Sequence, residues 1–227
     1  LAISPKEAEA TTIITTPQLS LETEIARLAR ALCTVCRRNQ LTPTNSRAQW
    51  SPTPLPPIFP HVSLGTQASK VASATYMTQQ TDINEKMRAI LIDWLVEVHL
   101  KFKLVPETLY LTVNIIDRFL EKKTVVRQKL QLVGVTAMLI ASKYEEIYPP
   151  EVRDFVYITD RAYTREQILR MESLMLNTLG FTVTVPTSYI FTNRFLKVSM
   201  ADKPTCLLAH FLVERSLQEY RSLRHLP

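Results

Sequence analysis

The sequence contains very little glycine, and its three glycines, Gly65, Gly134 and Gly180, lie far apart. A phosphate-binding loop needs clustered glycines so that backbone N–H groups can approach the phosphate, and no such loop can form here. The four histidines are isolated and none has HExxH spacing, and no GxSxG motif is present. These motifs carry the zinc and nucleophile chemistry of many hydrolases. The residues therefore favour an interaction module over an enzyme.

Cysteine is also scarce, and three cysteines do not make a disulfide framework. Cys33 and Cys36 form a CxxC pair, whereas Cys206 is distant. A structural zinc site needs two more ligands at suitable spacing, and a thioredoxin-like site needs a βαβ context. Because the sequence provides neither, we expect no metal, no cofactor and a reducing compartment.

The uncharged stretch of the core over residues 130–142 is too short to cross a bilayer. No signal peptide opens the chain, which begins at Leu1 rather than Met, as is typical of a fragment. The net charge of +6 is spread out, with 20 basic and 17 acidic residues in 76–227. Without a dense basic patch, neither nucleic acid nor a membrane is an expected partner.

The distribution of proline divides the chain into two regions. Eight of the 14 prolines lie in residues 1–60, and the stretch 51–60 (SPTPLPPIFP) cannot be a regular helix or a central strand. Residues 1–75 are therefore predicted to be a disordered arm rich in Pro, Ser and Thr, with one amphipathic, potentially helical piece over 19–38. The apolar fraction of 46% supports a real core, which we place after the arm.

The rest of the sequence predicts successive helices and an all-α fold. N-cap residues, prolines at first turns and a glycine after a last turn mark the boundaries. Five helices are predicted in this way, over about residues 84–102, 106–120, 129–146, 151–158 and 164–180. A further helical stretch covers about 189–198 and 204–220, and the short alternation at 181–185 cannot form a sheet.

The first helix has more apolar surface than one packing face requires. Its helical projection places Ala89, Ile92, Leu95 and Val96 on one apolar face. A second apolar face is formed by Met87, Ile90, Leu91, Trp94 and Val98, next to Glu97. A helix that is apolar almost all round is buried or has a second partner. Arg88 falls among the core residues, where a charge needs a partner.

Several segments of this region, in order, resemble the cyclin box. They are residues 87–99 (MRAILIDWLVEVH), 107–120 (ETLYLTVNIIDRFL), 129–134 (KLQLVG), 141–152 (ASKYEEIYPPEV) and 170–174 (RMESL). The resemblance covers about residues 76–220, and residues 97–103 (EVHLKFK) look more like B-type mitotic cyclins than A-type.

The resemblance implies two successive five-helix folds, an N-terminal cyclin box fold over 76–184 and a partial second fold over 185–227. The apolar sides of a partial fold would be exposed. It also implies a non-catalytic role in the nucleus and cytoplasm, as a subunit that binds and activates a cyclin-dependent kinase at the G2/M transition. Such a kinase needs a Lys paired with a Glu on its C-helix, and a cyclin stabilises the inward position of that helix.

The same resemblance assigns roles to individual residues. The kinase-binding set is Lys143, Glu172, Ile140, Tyr144, Ile147, Leu176 and Val183. The substrate-docking patch, which receives R-x-L-type peptides of substrates and inhibitors, is Met87, Ile90, Leu91, Trp94, Glu97, Leu130 and Gln131. Arg88 and Asp117 match an internal ion pair. Taken singly, the apolar residues could equally be core, and Lys143 could serve only the helix dipole.

The resemblance to mitotic cyclins also implies a destruction signal of R-x-x-L form in the N-terminal arm, through which a ubiquitin ligase would bind. Arg38-Asn-Gln-Leu41 is the candidate for this signal. The R-x-x-L pattern recurs at 88–91 and 127–130 inside the fold, so the motif is weakly specific. A lifetime that did not change when Arg38 and Leu41 became alanine would contradict this interpretation.

Two alternatives to an active mitotic cyclin remain open from the sequence. A truncated or decoy cyclin would bind the kinase without raising its activity. A cyclin-fold transcription factor would need a strongly basic repeat, and residues 76–227 are close to charge balance.

Overall fold

The computed structural model describes residues 71–225, and every element in that range is helical, which confirms the predicted all-α class. The seven α-helices are α1 Glu85–Phe102, α2 Pro106–Lys122, α3 Arg127–Glu145, α4 Val152–Ile158, α5 Arg165–Thr178, α6 Ser188–Val198 and α7 Lys203–Ser216. Short 3-10 turns lie at Tyr76–Gln79 and Tyr220–Arg224. None of the helices described is both long and apolar enough to cross a membrane.

Local signals in the sequence mark several helix ends. Asn84 caps α1 by accepting a hydrogen bond from Met87 N (2.9 Å). Thr164 and Gln167 form the predicted capping box of α5, and Gly180 follows that helix with φ +60°. The helix predicted over 204–220 is too long. The structure ends it at Ser216, and a separate 3-10 turn begins at Tyr220.

The core is built around α3, which packs against α1, α2, α4 and α5. Every residue from 132 to 142 is buried, as expected for a helix without charge along its middle. Gly134 lets α1 come close, because a Cβ at that position would lie only 2.8 Å from Leu91 Cδ1. The absence of one side chain on α3 thus determines how deeply Leu91 sits.

The predicted division of α1 into a core face and a second apolar face is partly wrong. Leu91 and Val98 were placed on the second apolar face, yet both are buried in the core. Ala89 and Val96, expected to face the core, are only partly buried. Tertiary packing explains the difference, since α1 packs against both α2 and α3 and a larger share of its circumference is covered.

A buried ion pair joins the beginning and the end of the described chain. Arg88 Nε and Nη2 donate to the two carboxylate oxygens of Asp117, at 2.6 and 2.7 Å. Tyr76 Oη donates to the same carboxylate (2.7 Å). Tyr220 packs edge-on against Tyr76, and its hydroxyl accepts from Met77 N (3.0 Å).

The environment of this pair favours its charged form. Burial works against the charged guanidinium, but the Asp117 carboxylate and Tyr76 together outweigh burial and raise the pKa of Arg88. Arg88 Nη1 also donates to the carbonyl of Leu217 (3.0 Å). Each guanidinium nitrogen and both carboxylate oxygens therefore have a hydrogen-bond partner, and such partners are what make a buried charge tolerable.

Helices α6 and α7 form a hairpin, which packs against α2 through α6. Tyr189 of α6 lies 5.4 Å from the ring of Tyr110, and His210 of α7 hydrogen-bonds Asn193 of α6 (2.8 Å). Large apolar side chains of this hairpin and its turn are exposed, namely Phe195, Val198, Met200, Leu207, Leu208 and Phe211.

Replacing Asp117 by Asn should lower the free energy of unfolding by about 3–5 kcal/mol, because Arg88 would keep its charge in a buried site without a counter-ion. Urea unfolding of the two chains measures the difference. Asp82→Asn is a matched control, since it breaks an exposed pair with Arg127 and should change the stability much less. A similar effect of both substitutions would contradict the role given to the buried pair.

Candidate protein-binding surfaces

An ion pair connects the C-terminal end of α3 to the middle of α5. Lys143 Nζ lies 2.7 Å from Glu172 Oε1, with the lysine side chain partly exposed and the glutamate largely covered. A lysine ammonium has three donors, so this bond leaves capacity for a partner. The structure thus brings together two residues that lie 29 positions apart in the sequence and that were predicted to act jointly.

The apolar side chains predicted to act with this ion pair are buried to different depths. Tyr144 is half exposed and Ile147 almost fully exposed, whereas Leu176 and Val183 are partly buried. Ile140, predicted to contact a partner, is only 4% exposed and belongs to the core. We call the remaining set, Lys143, Glu172, Tyr144, Ile147, Leu176 and Val183, the α3–α5 platform.

Further residues belong to this region that were not predicted. Tyr148 follows Ile147 and is 91% exposed. Tyr144 Oη lies 2.6 Å from Thr184 Oγ1, a bond that joins α3 to the segment after α5. The apolar pair at 147–148, placed directly before two prolines that stop a helix, was the available signal for an exposed segment.

The predicted docking patch is a shallow surface made by α1 and the start of α3. Ile90 is exposed, and Met87, Trp94 and Gln131 are partly buried. Leu91 and Leu130 are buried and form its floor rather than its surface. Helices α1 and α3, which carry these residues, pack against each other, and only some of the predicted members are accessible.

Glu97 lies on the exposed side of α1, one turn beyond Trp94. A carboxylate beside an apolar surface suits a peptide that combines a basic residue with a leucine.

The two surfaces lie near opposite ends of α3. Leu130 stands near its first turn and Lys143 in its last turn, which places them about 20 Å apart along the helix axis.

A buried histidine lies near the α3–α5 platform. His99 is 8% exposed, and its Nδ1 has no hydrogen-bond partner among residues 71–225. Burial lowers its pKa below the ordinary value, and the carboxylate of Glu146 opposes that shift only in part. His99 is therefore neutral in the folded chain near pH 7.

The candidate destruction signal at Arg38 and Leu41 lies outside the described residues, as do Cys33 and Cys36. These remain sequence predictions. Among the residues that are described, no group of three or more His, Cys, Asp or Glu is placed to hold a metal ion.

Comparison with known families finds one domain in this chain. The sequence profile of the "Cyclin, N-terminal domain" matches residues 60–184. Cyclin-B2-1 of Oryza sativa subsp. japonica is 64% identical over 152 residues, which cover 67% of this chain and 36% of that protein. G2/mitotic-specific cyclin-1 of Medicago sativa subsp. varia is 58% identical over 161 residues, covering 71% and 38%. The chain thus spans little more than a third of these relatives.

A solved structure shares the fold. The crystal structure of a viral cyclin from herpesvirus saimiri superposes with a TM-score of 0.57 at 22% identity, covering 67% of this chain and 65% of that chain.

Acidification from pH 7.5 to 5.5 should destabilise the chain through His99. Its folded pKa is depressed, so below its unfolded pKa of about 6.5 the unfolded state binds the proton more readily, and stability is lost as the pH falls. His99→Gln should lose less stability over this interval, as measured by urea unfolding at both pH values. The exposed His225 supplies the control, since His225→Gln should behave like the unchanged chain. Equal pH dependence in all three would refute this assignment.

Proposed function

The chain belongs to the cyclin family, with B-type mitotic relatives, and from that premise we propose that it is a non-catalytic subunit that binds and activates a cyclin-dependent protein kinase at the G2/M transition. The observation that carries this proposal is the α3–α5 platform, in which the Lys143–Glu172 ion pair is already formed beside exposed apolar side chains. An exposed apolar surface rimmed by polar groups is characteristic of protein-binding sites.

The proposed mechanism is a shift in the conformational population of the kinase. An active kinase requires a Glu on its C-helix to pair with a Lys. If the α3–α5 platform binds the inward C-helix more tightly than the outward one, the inward state gains population by that difference in affinity. Tyr144 and Ile147 would supply apolar contact area, and Lys143 and Glu172 would hydrogen-bond the kinase and fix its orientation.

The platform is held by bonds between elements, which reduces the cost of binding. The Lys143–Glu172 pair joins α3 to α5, and Tyr144 is bonded to Thr184. Side chains that are already ordered lose less entropy when a partner binds. This pre-ordering supports a platform suited to a specific partner.

The docking patch supports a second proposed role, the recruitment of substrates and inhibitors that carry an R-x-L-type segment. The leucine would lie on the apolar surface formed by Met87, Ile90 and Trp94 above buried Leu91 and Leu130, and Gln131 would border it. Glu97 would pair with the basic residue. Because this patch lies near the opposite end of α3 from the platform, it could present substrates to the bound kinase.

Action in the nucleus and cytoplasm, and turnover by a ubiquitin ligase acting through Arg38 and Leu41, complete the proposal. Both follow from the resemblance to mitotic cyclins. Localisation of a tagged chain in dividing cells would test the first.

Lys143→Ala and Glu172→Ala should each weaken binding to a purified mitotic cyclin-dependent kinase by about 10- to 100-fold, because each removes a charged hydrogen-bonding group and leaves the other unpaired. Calorimetry measures the affinity, and histone phosphorylation measures the activation. Arg127→Ala is the control, since it removes an exposed ion-paired cation at the other end of α3 and should not alter the affinity. Normal activation by both platform variants would reject this surface.

The same assay separates an activating subunit from a decoy. The unchanged chain should raise histone phosphorylation, whereas a decoy would bind without any rise.

Ile90→Ala should weaken binding of an R-x-L peptide by about 5- to 20-fold, because it removes an exposed apolar contact of the docking patch. Fluorescence anisotropy of a labelled peptide measures this. Leu100→Ala changes an equally exposed side chain about 15 Å further along α1 and should bind the peptide normally. Equal affinities of the two variants would contradict the patch.

A further inference from the structure

The segment that leaves α3 presents apolar side chains without the support of a helix. The helix ends at Glu145, and Ile147 and Tyr148 extend from non-helical backbone with 87% and 91% of their surface exposed. Two prolines follow, so the segment cannot continue as helix. Exposed side chains contribute little to holding such a backbone in one conformation, and another contact must do so.

That contact is made by Glu146, which lies directly before the exposed pair. Its Oε1 accepts from Val105 N (2.8 Å) and from Thr108 Oγ1 (2.6 Å). Both donors belong to the start of α2, 41 and 38 residues earlier in the chain. The two bonds therefore join the end of α3 to a different helix.

The N-terminus of α2 lacks a side-chain cap, and the Glu146 carboxylate supplies one from another helix. Val105 is the N-cap of α2 and has no side-chain cap hydrogen bond. In a capping box, a Glu at the third helical position accepts the N–H of the N-cap residue. In α2 the third helical position is Thr108, whose hydroxyl is a donor rather than an acceptor. The acceptor for the Val105 N–H is instead Glu146, which follows α3. The negative charge also lies at the favourable end of the α2 dipole.

We propose that Glu146 is a positioning residue for kinase binding, which fixes the exposed segment 144–148 in the conformation that the kinase recognises by anchoring it to the N-terminus of α2. This inference rests on the proposed function. Its distinguishing consequence concerns Thr108, whose side chain is fully buried. A partner cannot touch Thr108, so its hydroxyl can affect binding only indirectly, and the side-chain hydrogen bond that it donates goes to Glu146.

The experiment compares Thr108→Val with Thr112→Val in the full chain. Both threonines are fully buried and lie one turn apart on α2. The hydroxyl of Thr112 donates to the Thr108 carbonyl within the helix (2.7 Å), whereas that of Thr108 reaches Glu146. Affinity for a purified mitotic cyclin-dependent kinase is measured by calorimetry. Backbone hydrogen exchange at residues 146–148 is measured in the free chain.

Thr108→Val should weaken kinase binding about tenfold, as expected for loss of one charge-assisted hydrogen bond, and should speed exchange at 147 and 148. Glu146→Gln should also weaken kinase binding and speed exchange at 147 and 148. The variant that combines Thr108→Val with Glu146→Gln should bind the kinase no more weakly than Glu146→Gln alone, because both changes remove the same contact. Thr112→Val should bind and exchange like the unchanged chain.

Two outcomes would overturn the inference and are distinguishable. If the unchanged chain binds the kinase and Thr108→Val binds as tightly as Thr112→Val, the proposed function stands and the positioning role of Glu146 is wrong. If the unchanged chain does not bind the kinase, the proposed function itself fails, and the positioning role fails with it.

Discussion

The fold depends on one buried charge and the need to neutralise it. Arg88 lies in the interior of α1, where an unpaired guanidinium would be very unfavourable. Asp117 of α2 neutralises it, and Tyr76 and Tyr220 bring the segments before α1 and after α7 to the same point. Four stretches of chain thus meet at this cluster, which supplies hydrogen-bond partners for its buried polar groups. The relative placement of α1 and α2 follows from the need to neutralise Arg88.

Once α1 and α2 are placed, α3 becomes the axis that separates the two candidate binding surfaces. Its middle is buried on all sides, so only its ends can contribute to a surface. The start of α3 joins α1 in the docking patch, and its end joins α5 in the α3–α5 platform. A rigid central helix keeps these surfaces at a fixed separation. Such a separation suits a protein that would hold a kinase at one site and a substrate segment at the other.

Much of the helical architecture could be predicted from local signals. Asn84, Thr164 and Gly180 mark helix ends through hydrogen bonds and backbone conformations that depend on a few neighbouring residues. The uncharged middle of α3 likewise predicted its central position. The predicted helix over 204–220 was too long because no residue within it is a strong local stop signal, and the turn after Ser216 is fixed by the contacts of Tyr220 with Tyr76 and Met77.

The sequence by itself determined the helical class, the order of the helices and the requirement that Arg88 find a partner, because periodicity, capping and the cost of a buried charge act over short distances or on single residues. The resemblance to cyclins named Asp117 and the candidate surface residues. Only the tertiary structure decided how deep each of them lies. Leu91 is buried because Gly134 on another helix leaves room for it. Glu146 contacts the start of α2 because folding brings together two positions about 40 residues apart in the chain. Such contacts depend on distant partners, which no local pattern specifies.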